Sequence, residues 1–163
     1  MVTKKLILGA IAVAALASTA WVVDVAAQSN VLQDRLQNMR AMGGSFRPIA
    51  AVVQGQSQDL DAAATAARTM ADQAKRITTL YPAGSGRDGN PESRARPEIW
   101  SNRAEFERLA GNLATAAEAL ATAAASKNVD AIRTAMGPTQ QACGGCHGGP
   151  PASGGPFRFE RPQ

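Results

Sequence analysis

The chain has 163 residues, of which 45% are apolar, 4% aromatic and 18% charged, with a formal net charge of +4. This composition excludes a disordered chain, because it is too apolar and too weakly charged. Two cysteines are too few for a disulfide-stapled mini-protein, and one histidine excludes a multi-histidine metal site. Abundant alanine beside sparse β-branched and aromatic residues predicts an all-α protein. A bulky apolar cofactor would supply the large groups that such a core lacks.

Residues 1–27 predict an export signal. Lys4 and Lys5 precede an uncharged run over 6–23, and Ala27 suits a small-residue cleavage site. A retained membrane anchor is the alternative, because a run of this length lies at the lower limit for a bilayer span. In both interpretations the rest of the chain is exported. We therefore expect a periplasmic protein, either soluble or anchored to the membrane. The net charge is small and the sequence contains no run of basic residues, so nucleic acid is not an expected partner.

Four helical segments are predicted between this leader and a Gly/Pro-rich tail over 148–163. They cover residues 30–53, from Ser57 or Asp59 to 80, from 98 to 125, and from Asn128 to 147. A loop over 82–97 separates the second segment from the third, whereas the other connections are short. Short connections make antiparallel neighbours, and the long loop can cross between the two helical pairs. The sequence therefore predicts an antiparallel four-helix bundle over 28–147.

Spacing also predicts which face of the first helix is buried. Its apolar or small residues recur in steps of three and four, at Leu32, Leu36, Met39, Gly43, Phe46, Ala50 and Val53. Two prolines interrupt the helical pattern. Pro48 predicts a kink in the first helix, and Gly137-Pro138 predicts a distortion of the fourth.

The residues that carry chemistry form the motif Cys143-Gly144-Gly145-Cys146-His147. In Cys-x-x-Cys-His, both thiols add to the vinyl groups of haem and the histidine binds its iron, since one helical turn places all three on one face. A thioredoxin-type pair, half of a zinc site and a structural disulfide are the alternatives. The attached histidine and the export signal favour one covalently bound haem c with Cys143 and Cys146 as thioether links and His147 as proximal iron ligand.

The position of this motif at the end of the fourth helix resembles the class II c-type cytochromes, the family of cytochrome c prime and its low-spin relatives. The resemblance covers about residues 30–147 and rests on the stretches 35–44, 95–100 and 143–147. It implies a four-helix bundle around the haem. The chain departs from the family at Leu36, where relatives often have glutamine. It departs again in the tail, where an aromatic-basic pair, Phe157-Arg158, follows the motif later than in relatives.

The resemblance implies that the first helix faces the open side of the haem, where low-spin members place a methionine. Met39 is the predicted distal iron ligand, and Met42 is the alternative. Arg35 lies one helical turn from Met39 and is predicted to contact a haem propionate.

The predicted function is one-electron transfer with His147/Met39 ligation, between a redox donor protein and a redox acceptor protein. The chain carries no pattern of catalytic groups, so it is not predicted to be an enzyme. Two alternatives remain: a five-coordinate haem that binds NO or CO, and a membrane-anchored haem subunit of a larger redox complex. Relatives often dimerise through the first two helices, so a homodimer is a further expectation.

Overall fold

The structure is a computed structural model that describes residues 30–148 and Phe157. Within this part of the chain it contains helices and no strand. They are α1 over 30–53, α2 over Leu60–Arg76, a 3-10 turn over Ile77–Leu80, α3 over Glu98–Ser101, α4 over Arg103–Ala125 and α5 over Val129–His147. The predicted leader lies outside the described residues, as does the tail apart from Gly148 and Phe157. No described helix combines the length and the apolar character that a bilayer crossing needs.

Helices α2 and α4 lie antiparallel and are joined at both ends. The Arg103 guanidinium donates hydrogen bonds to the carbonyls of Thr78 and Tyr81, at 3.0 and 2.9 Å, where α2 ends and α4 begins. At the opposite end, Lys127 pairs with Asp61 at 2.8 Å. Helix α5 returns alongside α4 after a connection of a few residues.

Helix α1 completes the bundle by packing antiparallel to both α2 and α5. Near its start, the Asn38 amide donates to the Gln73 carbonyl of α2 at 3.0 Å. At its other end, the Arg133 guanidinium of α5 donates to the Val53 carbonyl at 3.1 Å. The predicted antiparallel four-helix bundle is therefore confirmed.

Local sequence explains where the helices begin and why two prolines do not break them. Asp59 accepts a hydrogen bond from the Ala62 N–H at 2.8 Å, and Asn128 caps α5 in the same way. Helix α1 continues through Pro48, and α5 continues through Pro138, so neither predicted irregularity interrupts its helix. Each proline removes one backbone hydrogen bond, whereas neighbouring helices hold the turns on both sides of it.

The long loop over 81–97 is held by the side chain of Trp100. The Trp100 indole N–H donates to the Pro82 carbonyl at 2.9 Å. The indole ring also covers Gly86, where an added Cβ would lie 3.0 Å from the ring. The loop backbone approaches the ring this closely because position 86 has no side chain.

The buried face of α1 is not the face that apolar spacing predicts. Leu36 is 42% exposed, and Met39, Phe46 and Val53 are only partly buried. The fully buried stripe consists instead of Arg35, Asn38, Met42, Ser45, Ile49 and Val52. Three of these six residues are polar, so a search for apolar periodicity does not find the stripe. The three polar side chains remain buried because each is hydrogen-bonded: Arg35 to the Leu80 carbonyl, Asn38 to α2 and Ser45 to α1 itself.

We expect Leu120→Ala to lower the free energy of unfolding by about 2–5 kcal/mol, because Leu120 is fully buried and its truncation leaves a cavity. The matched control is Leu36→Ala, which removes the same atoms from an exposed position and should change stability by less than about 0.5 kcal/mol. Denaturant unfolding of the haem-loaded protein measures both values. Equal losses in the two variants would contradict the burial pattern described here.

Candidate functional site

The three groups of the motif lie on the last turn of α5. Cys143 and Cys146 are unpaired, partly buried thiols, three residues apart on the helix, and His147 is the final helical residue. Gly148 then turns the chain with a φ of 77°, and its N–H donates to the Gly144 carbonyl at 2.7 Å. Residues three and four apart share a helical face, so both thiols and the imidazole leave α5 on the same side.

The electrostatics of the two thiols argue against a thiolate site. Burial, together with the neighbouring Cys143 and Glu105, raises the pKa of Cys146 to about 11. Burial also raises the pKa of Cys143. Zinc sites and redox dithiols depend on thiolates, whereas addition to a vinyl group consumes an S–H. Among the described residues, moreover, no group of three or more His, Cys, Asp or Glu could hold a metal ion.

The register of α1 against α5 places Met39 level with His147. The Arg133–Val53 hydrogen bond fixes one point of contact between these antiparallel helices. Met39 lies 14 residues before Val53, and His147 lies 14 residues after Arg133. At 1.5 Å per residue, each is about 21 Å from that contact. The structure therefore brings the predicted proximal and distal residues to the same height of the bundle.

Both helices carry a partly buried apolar stripe along their length. On α1 the stripe comprises Met39, Phe46 and Val53, seven residues apart, and on α5 it includes Met136 and Cys143, also seven apart. At Val53 helix α1 contacts α5, where the Val53 carbonyl accepts the Arg133 hydrogen bond. An apolar ring between the two stripes would complete the burial of both, so these residues fit a haem.

Arg35 supplies a second observation that fits a haem. Its guanidinium is buried, with the side chain 7% exposed, and it donates to the Leu80 carbonyl at 2.7 Å and the Ser85 carbonyl at 2.9 Å. It also binds the Ser85 and Ser93 hydroxyls and lies 4.2 Å from the centre of the Tyr81 ring. Each of these partners is neutral, and burial lowers the pKa of Arg35. A buried cation without a carboxylate partner suits an anionic cofactor group.

A row of aromatic rings closes the same end of the bundle. Tyr81 meets Trp100 and Phe106 edge-to-face, with ring centres 6.4 and 5.2 Å apart, and Phe106 meets Phe157 at 5.4 Å. The backbone N–H of Phe157 donates to the Cys146 carbonyl at 3.3 Å. The sequence pattern indicated no role for Phe157, because a glycine- and proline-rich stretch separates it from the motif. The available signal was that Phe157 is a bulky apolar residue in a tail that contains few such residues.

Fold and site together define a class: helical-bundle proteins that carry one covalently attached haem c. A family model described as Cytochrome C' matches residues 30–149. A cytochrome c' of Rhodopseudomonas palustris is 30% identical over 122 residues, which cover 74% of this chain and 81% of that relative. A cytochrome c-556 of Agrobacterium fabrum is 34% identical over 111 residues, covering 67% and 72%. The chain belongs to the cytochrome c' family, which confirms the predicted family and its haem c.

Solved structures support the same fold. Cytochrome c' from Thermochromatium tepidum has a TM-score of 0.71 at 27% identity and covers 82% of this chain and 97% of its own. A cytochrome c' structure described by its ligand-controlled dimer dissociation has a TM-score of 0.70 at 25% identity, with the same coverage of both chains. The nitric oxide complex of a cytochrome c prime variant from Alcaligenes xylosoxidans shares the fold at 21% identity, with a TM-score of 0.69 and 82% and 97% coverage.

The predicted main function, one-electron transfer by an iron held between His147 and Met39, is wrong. The chain matches the cytochrome c' family model and curated cytochromes c', and a solved structure of this fold is the nitric oxide complex of a cytochrome c prime variant. The finding agrees with the alternative function instead. The error has a physical origin, because a methionine at the right height of a helix can fill space as well as bond to iron. The spacing in the sequence predicts the height of Met39 along the bundle, but it does not predict a bond between Met39 and iron.

We expect Cys143→Ala combined with Cys146→Ala to leave the haem extractable by acidified organic solvent, because both thioether links are then lost. Each single variant should retain the haem through its remaining link. Haem staining of denatured protein after extraction measures the covalent fraction. Covalent haem in the double variant would place the attachment elsewhere.

Proposed function

We propose that this protein is a periplasmic haem protein that binds NO or CO at a five-coordinate iron and is not an enzyme. The observation that carries the proposal is the family match over residues 30–149, which spans the whole bundle and includes the haem motif. The site agrees with it, because Met39, the residue of the α1 stripe at the height of His147, is apolar. Such a surface offers a diatomic gas space and no competing nitrogen or oxygen ligand.

Each residue of the site has a distinct role in this function. The haem, when bound, would supply an iron that can accept a gas. Cys143 and Cys146 would hold the haem against α5 through thioether links, and His147 would ligate its iron. Met39 would line the gas site from α1 and restrict it to small molecules. Met42 belongs to the buried stripe, so its role is to support α1 from within the core.

Arg35 is the proposed partner of a haem propionate. It lies at the end of the bundle that carries the motif, and it is the buried cation that lacks a carboxylate partner among the described residues. Its four hydrogen bonds, one to Leu80 of the 3-10 turn and three to the loop, leave one of the five guanidinium N–H groups to donate. Arg35 would thus join the cofactor to the loop over 81–97.

Three further proposals concern the surroundings of the protein. The predicted leader argues for export to the periplasm, which N-terminal sequencing of the native protein tests. A redox donor protein is proposed because CO binds ferrous iron, which must be kept reduced. A homodimer is proposed because one similar cytochrome c' structure is described by dimer dissociation under ligand control. Sedimentation velocity with and without CO tests this, and a monomer under both conditions would refute it.

We expect the unmodified ferrous protein to bind CO at neutral pH, and Met39→Ala to raise the CO association rate constant about tenfold. Removing the side chain that covers the open position lowers the barrier to entry, and tenfold corresponds to about 1.4 kcal/mol. Flash photolysis measures the rate constant.

Met42→Ala is the matched control for this experiment. It truncates a buried methionine on the same helix and should cost about 2–5 kcal/mol of stability while leaving the CO rate unchanged. A low-spin ferrous spectrum, with CO binding only after Met39 is removed, would refute the gas-binding proposal.

We also expect Arg35→Met to lower the reduction potential of the haem, because a nearby positive charge favours the ferrous state. Arg40→Met is the control, since it removes the same charge from an exposed position on α1. Spectroelectrochemical titration measures both potentials. Equal shifts in the two variants would show that Arg35 has no special proximity to the haem.

A further inference from the structure

The last turn of α5 is a helix end, and it carries the proximal histidine. Carbonyls at a helix end lack intrahelical partners, so this turn frays unless other groups bind them. The Gly148 N–H binds the Gly144 carbonyl from within the same chain segment, at 2.7 Å. The Cys146 carbonyl, directly before His147, receives its hydrogen bond from Phe157, at 3.3 Å.

Phe157 is itself anchored outside α5. Its side chain is only 8% exposed and packs edge-to-face on Phe106, with ring centres 5.4 Å apart. Phe106 is 4% exposed in the first turn of α4, and Tyr81 packs on its ring at 5.2 Å. Through Phe157, the hydrogen bond to Cys146 therefore connects the end of α5 to a buried aromatic side chain at the start of α4.

We propose that Phe157 is a positioning residue for His147, which holds the last turn of α5 in place and thereby lowers the affinity of the site for gas. This inference rests on the proposed gas-binding function. A haem held by His147 would transmit the position of this turn to its iron. A firmly held turn would restrict the movement of the imidazole when a gas binds, whereas a frayed turn would permit that movement. The burial of Phe157 and its bond to Cys146 give the turn its resistance.

The test compares Phe157→Ala with the unmodified holoprotein in two measurements. The first is the equilibrium affinity for CO, which should rise about fivefold in the variant; this corresponds to about 1 kcal/mol, the usual net contribution of one hydrogen bond. The second is the iron–histidine stretching band of the gas-free ferrous protein in resonance Raman spectra. It should broaden and move to lower frequency, because the imidazole is held less firmly.

Two further variants separate positioning from general stability. Phe157→Leu keeps a large apolar side chain that can still anchor the backbone donor, so affinity and Raman band should return toward those of the unmodified protein. Ile132→Ala truncates a fully buried residue at the other end of α5, and it should reduce stability without moving either measurement. If Phe157→Ala does not load haem, Phe157→Leu carries the comparison through a smaller shift in the same direction.

The outcomes distinguish this inference from the function on which it rests. A site that binds no CO refutes the proposed function, and the Raman band then decides the role of Phe157 alone. An unchanged band in Phe157→Ala refutes the positioning role, whatever the affinity. Equal changes in Ile132→Ala and Phe157→Ala also refute it, because stability would then explain both.

Discussion

The structure depends on one constraint: two thiols and an imidazole must leave the same turn at the very end of α5. A helix end is the least restrained part of a helix, and here it carries every group that we propose to attach the cofactor. The remaining elements compensate for this. Helix α4 supplies Phe106 as an anchor, the tail supplies Phe157, and the loop supplies Tyr81. The aromatic rings lie at this end of the bundle because this end requires support.

The composition of the core fits the same constraint. Most of the buried residues of α2 and several of those of α4 are alanines, so these two helices fill the space between them with small side chains. On α5, by contrast, only Ile132 and Thr139 are buried. The apolar bulk missing from the α1–α5 side is what the haem ring supplies.

Much of this could be predicted from the sequence, for reasons that can be stated residue by residue. The helix caps at Asp59 and Asn128 and the haem motif are local signals, in which a few adjacent residues determine the result. The buried stripe of α1 could not be predicted, because Arg35 and Asn38 are buried only through partners distant in sequence. The role of Phe157 depends on its contact with Phe106, which no periodicity in the sequence predicts. The function prediction failed at Met39, because height on a helix does not determine a bond to iron.

Exposed ion pairs occur at both ends of the bundle. Lys127 pairs with Asp61 at the end remote from the motif, and Arg108 pairs with Glu105 near the start of α4. Buried side chains accompany both pairs, Ile132 at the first end and Phe106 at the second. Dissolved salt screens exposed ion pairs and leaves buried contacts almost untouched. The bundle should therefore keep its fold in brine, because neither end depends on its surface charges.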